Sequence, residues 1–347
     1  MGRNSLTLIL CVFFKSSLTF AYNFHMPKTL QSTVGFWEKI YQHYSSNIIV
    51  AHDPKTFEVM GTVDIGTLEE NVLFSFTQEH LQNHYKKYFK EIKFKDSRYQ
   101  TGQKNKVEEG IKRFLPFKNS LKNIFIKENF PPEFIALSFV ESSFNYKAGS
   151  NAGAVGVWQF IRSTGSKFLK INTRIDERKN ILLSTIAAIK LLKGNKRAYK
   201  SWELAIVAYN SGVKTPNAYL KKKKRSEEME KYASDMDRFF SFAENNGAKS
   251  FQFASHNYYP SFLAMIETLK KIDLTGDFFS DVLEKKITES PEYYVCKITK
   301  KIPKNFRLPD SLKELNPQFL EKNPRLQEGD KLMLPSIEKY NWCLSFV

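Results

Sequence analysis

The chain is organised around the stretch from Phe130 to Gly165, FPPEFIALSFVESSFNYKAGSNAGAVGVWQFIRSTG. Pro131 and Pro132 suit the first turn of a helix, where a missing N–H leaves no intrahelical bond unmade. From there Phe134, Leu137, Ser138 and Glu141 recur at offsets of three and four, which places them on one helical face. Glu141 thereby ends a mostly apolar stripe, in the last turn. Desolvation and the negative end of the helix dipole both disfavour a carboxylate there and raise its pKa, which is what a general acid working near neutral pH requires. A run containing Gly149, Gly153 and Gly156 follows, suited to a backbone that bends sharply and approaches a ligand closely. Gln159 comes next, at what reads as the start of another helix. Taken alone, a glutamate at a helix end is more often a solvated surface charge.

The 347 residues suffice for two or three domains, with enough apolar content for a sizeable core. Lys and Arg number 53 against 36 Asp and Glu, a net charge of +17 that points to polyanionic surroundings: nucleic acid, anionic lipid or cell wall. The basic residues are spread along the chain, with no helix-turn-helix, zinc-finger or ribonucleoprotein signature, which argues against nucleic acid. The first 21 residues read as a secretory signal peptide: Arg3 in a short positive region, an apolar run from Leu6 to Phe14 too short to span a bilayer, and small Thr19 and Ala21 before a cleavage point. Lys15 interrupts that pattern. Bulky Leu8, Ile9 and Leu10 before Cys11 disfavour lipidation. Cleavage would leave Cys296 and Cys343, a candidate disulfide in an oxidising compartment; two unpaired buried thiols are the alternative.

Residues 22–106 form an N-terminal accessory region. It has a helical stripe through Phe36, Ile40 and Tyr41 and a hairpin around Asp53-Pro54-Lys55. A further helical stretch carries His80 and His84 four residues apart. Without additional ligands these two make a solvated face, not a metal site. Residues 97–106, SRYQTGQKNK, read as a linker or exposed loop. Residues 107–270 form the central unit. Within it, DERKNILLSTIAAIKLLKGN predicts a helix ending at Gly194. In SWELAIVAYNSG, Trp202, Ala205, Ile206 and Tyr209 face inward and Gly212 is the C-cap. The run KKKKRSEEMEK reads as a solvated loop. The aromatic-rich FQFASHNYYPSFLAMIETLKK packs on the core or lines a groove. Residues 271–347 read as a separate small module of strand (YYVCKITKKI), helix and turn (SLKELNPQFLEKN) and strand (GDKLMLP).

Four motifs carry a resemblance. ESSF at 141–144, AGSNAGAVGVWQF at 148–160, DER at 176–178 and AYNSG at 208–212, in that order, resemble the lytic transglycosylase domain of the goose-type lysozyme superfamily, in its membrane-bound lytic murein branch. The resemblance runs from near Leu121 to Ala264. It implies a mainly α chain, α+β overall: a lysozyme-like helical catalytic domain, a small accessory region before it, and a C-terminal α/β module similar to a degenerate LysM module. It implies cleavage of the bond between N-acetylmuramic acid and N-acetylglucosamine in peptidoglycan, in an exported periplasmic or envelope protein, acting as a monomer in cell-wall remodelling or degradation, with no cofactor and no metal. Glu141 would be the catalytic acid, then base for attack by the sugar's own C6 hydroxyl, giving a 1,6-anhydro product. Ser142 would support the helix end and substrate, Gln159 and Asn210 would hydrogen-bond sugar, and Tyr209 would orient Glu141. Gly153, Gly156, Asp176 and Arg178 would be structural at the site, the last two as an ion pair. The basic surface would make peripheral envelope contact. The branch carries histidine where this chain has Ser211, and Lys214 to Pro216 alter the next loop, which bears on glycan preference. Two alternatives stand beside this reading. A hydrolytic lysozyme on the same scaffold would need a second carboxylate, and Glu133 lies roughly 12 Å from Glu141 along the helix axis, too far to activate water. A non-catalytic wall-binding protein would have no need of a desolvated carboxyl.

Overall fold

Periodic apolar residues set the helices of the structure, a computed structural model that describes residues 24–66, 97–223, 235–245, 253–272, 276–289, 292–300, 302, 306–321, 324–335 and 343–345. The expected signal peptide, the stretch with His80 and His84, and most of the KKKKRSEEMEK run lie outside the described residues.

Helix α1 (Gln31–Gln42) buries Val34, Phe36, Trp37, Ile40 and Tyr41. A three-stranded antiparallel sheet follows, ordered β2 (Val59–Asp64), β1 (Ile48–His52), β3 (Arg98–Thr101). The hairpin β1–β2 turns around Asp53, whose carboxylate accepts from the Lys55 and Thr56 amides at 2.7 Å. Part of 97–106 is strand β3, not linker. Its backbone closes the second edge of β1, and Tyr99 packs on Ile49 and Ala51, so a polar-looking segment is held by ladder pairing that composition does not reveal.

Next come α2 (Lys104–Phe114), with Val107, Ile111 and Phe114 buried, and α3 (Lys118–Lys127). Helix α2 starts before residue 107, so the boundary expected at 106 falls inside a helix. After a 3₁₀ turn at Pro132–Phe134, α4 (Ile135–Ser142) runs through the middle of the molecule. The loop beyond it leads to the single-turn α5 (Arg162–Gly165). Helix α6 (Ile181–Tyr199) is capped by the Asn180 side chain, which accepts from the Leu183 amide at 3.0 Å. It continues past Gly194 because Asn195 and Tyr199 prolong its buried stripe, and an interior glycine costs only about 1 kcal/mol. Helix α7 (Trp202–Ser211) is capped by Ser201 and ends at Gly212, φ 73°. Helices α8 (Lys214–Lys223), α9 (Asp235–Asn245) and α10 (Phe253–Lys271) follow, and α10 lies along α1.

The main core is aromatic. Phe24, Phe130, Phe134, Trp202 and Phe262 meet mostly edge to face, with centroids 4.6–6.0 Å apart, as do Phe114, Phe125 and Phe278. Phe278 belongs to α11 (Gly276–Leu283), beyond the expected boundary at 270, and Val295 and Met333 also enter this core. The C-terminal part is therefore not separate. It holds a second antiparallel sheet, ordered β5 (Lys331–Leu334), β4 (Tyr294–Ile298), β6 (Cys343–Ser345), with α12 (Asp310–Leu315) between β4 and β5. Strand, helix and strand come in the expected order; β6 is additional. Cys296 is buried and disulfide-bonded, and Cys343 faces Ile298 on the neighbouring strand.

Candidate active site

Helix α4 ends abruptly. Ser143 and Phe144 both have left-handed backbones, φ 49° and 55°, conformations that cost a side-chain-bearing residue roughly 1–3 kcal/mol. The neighbours hold them there. The Ser143 amide donates to the Phe139 carbonyl at 2.7 Å, and the Arg113 Nη2 donates to the Ser143 carbonyl at 2.9 Å. Gly110 of α2 lets that carbonyl approach: a Cβ there would lie 2.6 Å from the Ser143 oxygen. The helix end that carries Glu141 is thus clamped from the α2 side.

Glu141 retains partial solvent access, yet desolvation by the protein around it pushes its carboxyl up to about 7. The opposing influence is a hydrogen bond donated by Tyr258 Oη to Oε1, 2.6 Å long. The other carboxylate oxygen has no protein donor among the described residues, and none of them supplies a second carboxylate acting on Glu141. The Tyr258 and Tyr209 hydroxyls are both driven well above their ordinary pKa, by burial first and by the nearby Glu141 charge second. They therefore remain protonated donors. Tyr209 gives its proton to the Trp158 carbonyl at 2.6 Å, not to Glu141. The hydrogen bond to Glu141 thus comes from Tyr258 and not from Tyr209. Tyr258 was not singled out from sequence, although its spacing with Phe262, Met265 and Leu269 puts it on the inward stripe of α10.

Ser142 Oγ donates to the Val157 carbonyl at 2.9 Å and accepts from the Asn145 amide at 3.0 Å, so the hydroxyl ties the helix end to the following loop. Gln159 sits in a turn, φ 46°, not at a helix start. Its Nε2 donates to the Gly156 carbonyl at 2.9 Å, and its Oε1 accepts nothing among the described residues. Asn210 is exposed, one residue beyond Tyr209, and its carboxamide makes no hydrogen bond among the described residues.

Arg178 braces the loop. Its guanidinium contacts Asp176 at 2.7 and 2.9 Å and donates to the Gly153 and Phe160 carbonyls, each at 2.9 Å. Gly156 has φ 81°, and a Cβ there would lie 2.1 Å from the Arg178 carbonyl oxygen. Among the described residues no group of three or more His, Cys, Asp and Glu side chains is placed to hold a metal ion. Nor does any described helix have the length and apolarity to cross a membrane.

Most of this constellation lies within a recognisable unit. Residues 120–232 match the Transglycosylase SLT domain family. The matched span contains Glu141, the glycine loop, the DER segment and AYNSG. Curated relatives include membrane-bound lytic murein transglycosylase D of Escherichia coli strain K12 and of Escherichia coli O6:H1 strain CFT073, each 42% identical over 88 residues, which is 25% of this chain and 20% of the relative. A protein of Alteromonas sp. strain M-1 named for tributyltin chloride resistance is 34% identical over 88 residues, 25% of this chain and 42% of that protein. The aligned part of the chain thus spans about a fifth of the length of the first two relatives. Tyr258 lies outside the SLT match, so the hydrogen bond to Glu141 crosses the edge of the matched domain.

Proposed function

We propose that the chain is a peptidoglycan lytic transglycosylase. The observation that carries this reading is Glu141: a carboxyl with a pKa of about 7, one oxygen held by Tyr258, the other unoccupied by protein donors, and no second carboxylate beside it among the described residues. At neutral pH such a group is protonated about half the time and can serve as both acid and base. Protonated Glu141 gives its proton to the glycosidic oxygen as the bond from C1 of N-acetylmuramic acid breaks, releasing the 4-hydroxyl of N-acetylglucosamine. The ionised carboxylate then accepts the proton of the C6 hydroxyl as O6 bonds to C1. No water is consumed and Glu141 ends protonated again. Intramolecular attack profits from the high effective concentration of the C6 hydroxyl. Gln159 Oε1 and the Asn210 carboxamide are the side-chain groups free to bind sugar hydroxyls or acetamido groups.

A hydrolytic lysozyme would use the same acid but needs a carboxylate about 5–9.5 Å away, as nucleophile or as base for water. Mass spectrometry of products from purified peptidoglycan separates the two. Transglycosylation yields 1,6-anhydro ends lighter by one water than hydrolytic reducing ends; mainly the heavier, borohydride-reducible products would establish a lysozyme.

The same reading places the protein in the envelope compartment, exported by residues 1–21. Protein recovered from the periplasmic fraction should begin at Tyr22, and full-length protein confined to the cytoplasm would contradict export. Pairing of Cys296 with Cys343 fits that compartment. Peptide mapping without reduction should recover the two cysteines in one linked fragment, and a free Cys343 thiol would rule the pairing out.

A further inference from the structure

A cavity of about 450 Å³ opens where the C-terminal part meets the matched domain, a volume in the range of small-ligand sites. It is not the Glu141 site. Its lining draws on α2, the segment after α4 and the residue after DER, which carry Arg113, Tyr146 and Lys179. It also includes Phe117, Tyr293 and, in the last turn of α12, Glu314. The rings of Phe117 and Tyr293 stand 5.1 Å apart, and Ser120 holds Tyr293 in place by accepting from its amide and donating to its carbonyl, each at 3.0 Å.

Arg113 and Lys179 form no ion pair among the described residues, and neither does Glu314. Arg113 spends Nη2 on the Ser143 carbonyl, and its Nε is buried with no hydrogen-bond partner among the described residues. Two cations, one carboxylate and three aromatic rings in one lining match a short zwitterion with an aliphatic middle.

We propose that this cavity binds the stem peptide of peptidoglycan through its diamino acid, the carboxylate against Arg113 and Lys179, the ammonium against Glu314, and the methylenes on Phe117, Tyr146 and Tyr293. The proposal rests on the wall polymer being the substrate. It links peptide recognition to the catalytic helix, because Arg113 also clamps the carbonyl of Ser143. Ser143 follows Glu141 by two residues, so their Cα atoms are at most about 7.6 Å apart. A strand bearing its stem peptides would be gripped at the same helix end that carries the acid.

The test is calorimetric titration of the full chain with the tripeptide L-alanyl-γ-D-glutamyl-meso-diaminopimelate. Two modified forms serve as comparisons: one acetylated on the side-chain amine, one amidated on the diamino acid carboxyls. Lys179→Gln should weaken binding of the free tripeptide about tenfold, as expected for losing one charge-assisted contact. Glu314→Gln should weaken the free tripeptide by a similar factor but leave the acetylated form, already deprived of its ammonium, unaffected. Amidation should abolish the effect of Lys179→Gln. Absence of tripeptide binding at millimolar concentration, or binding indifferent to both substitutions, overturns the proposal. The titration needs no turnover, so the two readings fail separately: tripeptide binding without anhydro products would sink the transglycosylase reading, and anhydro products without tripeptide binding would sink this one.

Discussion

The N-terminal helix and the C-terminal sheet both pack against the catalytic unit, but different chemistry holds them. Helix α1 lies on α10 through an apolar stripe fastened mainly by neutral bonds, with one solvent-exposed ion pair, Lys271 to Glu38 at 3.1 Å, at its edge. Trp37 Nε1 donates to Asn257 Oδ1 and Gln42 Nε2 to Thr268 Oγ1, each at 2.9 Å, while Tyr259 Oη donates to the His25 carbonyl just ahead of α1 at 2.7 Å. The C-terminal sheet sits on the DER segment through buried charge. Asp330 is fully buried, takes both Arg174 terminal nitrogens at 2.8 Å and Lys170 at 3.0 Å, and Lys331 reaches Glu177 at 3.3 Å. The Asp176 amide donates to the Gln318 carbonyl at 2.8 Å. The two attachments lead to different parts of the site. Helix α1 backs the helix that supplies Tyr258 to Glu141. The ionic seam backs the segment whose Arg178 supports the glycine loop. The position of Glu141 thus depends mainly on apolar packing, and the glycine loop depends on charge.

The sharpest cut removes what both attachments serve. Glu141→Gln should lower turnover by at least about 10²–10⁴-fold on peptidoglycan. Stability should move the other way. The folded carboxyl is raised from 4.5 to about 7, so its contribution to stability is full below the unfolded pKa and is lost as pH rises through 7. Near pH 8 the variant should gain up to about 3 kcal/mol, read as a higher Tm than the parent. Near-normal turnover would remove Glu141 from the mechanism.

Breaking the ionic seam is the next largest effect. Asp330→Asn leaves Arg174 and Lys170 without their buried partner and should destabilise the protein by about 3–5 kcal/mol in denaturant titration. Burial pushes the Asp330 carboxyl up, but hydrogen bonds from Arg174, Lys170 and the Gln327 amide outweigh it and hold the pKa below 3.8. Its stabilisation is therefore present above the unfolded pKa and is lost as pH falls through the lower folded value. Acid near pH 3 should loosen the C-terminal seam while leaving the α1–α10 contact in place, which hydrogen exchange can resolve. Equal loss of protection at both contacts would refute the contrast.

Tyr258→Phe separates positioning from chemistry. The Tyr258 bond lowers the Glu141 pKa, so its loss should raise that pKa and shift the alkaline limb of the activity profile upward. Turnover should fall about tenfold, the scale of one hydrogen bond to a charged group. An unshifted limb would show that the tyrosine does not act on the acid. The smallest effect is expected at α1. Trp37→Phe deletes one neutral bond and should cost about 1 kcal/mol, with little change in salt dependence. A salt dependence as steep as that of the C-terminal seam would erase the distinction between the two attachments.

Local features were legible in the sequence because they depend on near neighbours. The helix carrying Glu141 in its last turn, the C-cap at Gly212, the hairpin at Asp53 and the strand–helix–strand order of the C-terminal part all follow from periodicity, caps and turn residues. The tertiary structure decided what pairs across distance. Tyr258 meets Glu141 from 117 residues away, and only the crossing of α10 over α4 selects it over Tyr209. Strand β3 is a strand because β1 offers it an open edge, and its own polar residues do not announce that. Asp330 and Arg174, which are 156 residues apart, could not be matched from sequence because each has many candidate partners and burial alone selects one. Glu141 joins the two levels: its place at the helix end is written in the sequence, while the desolvation and the tyrosine that set its pKa exist only once the chain has folded.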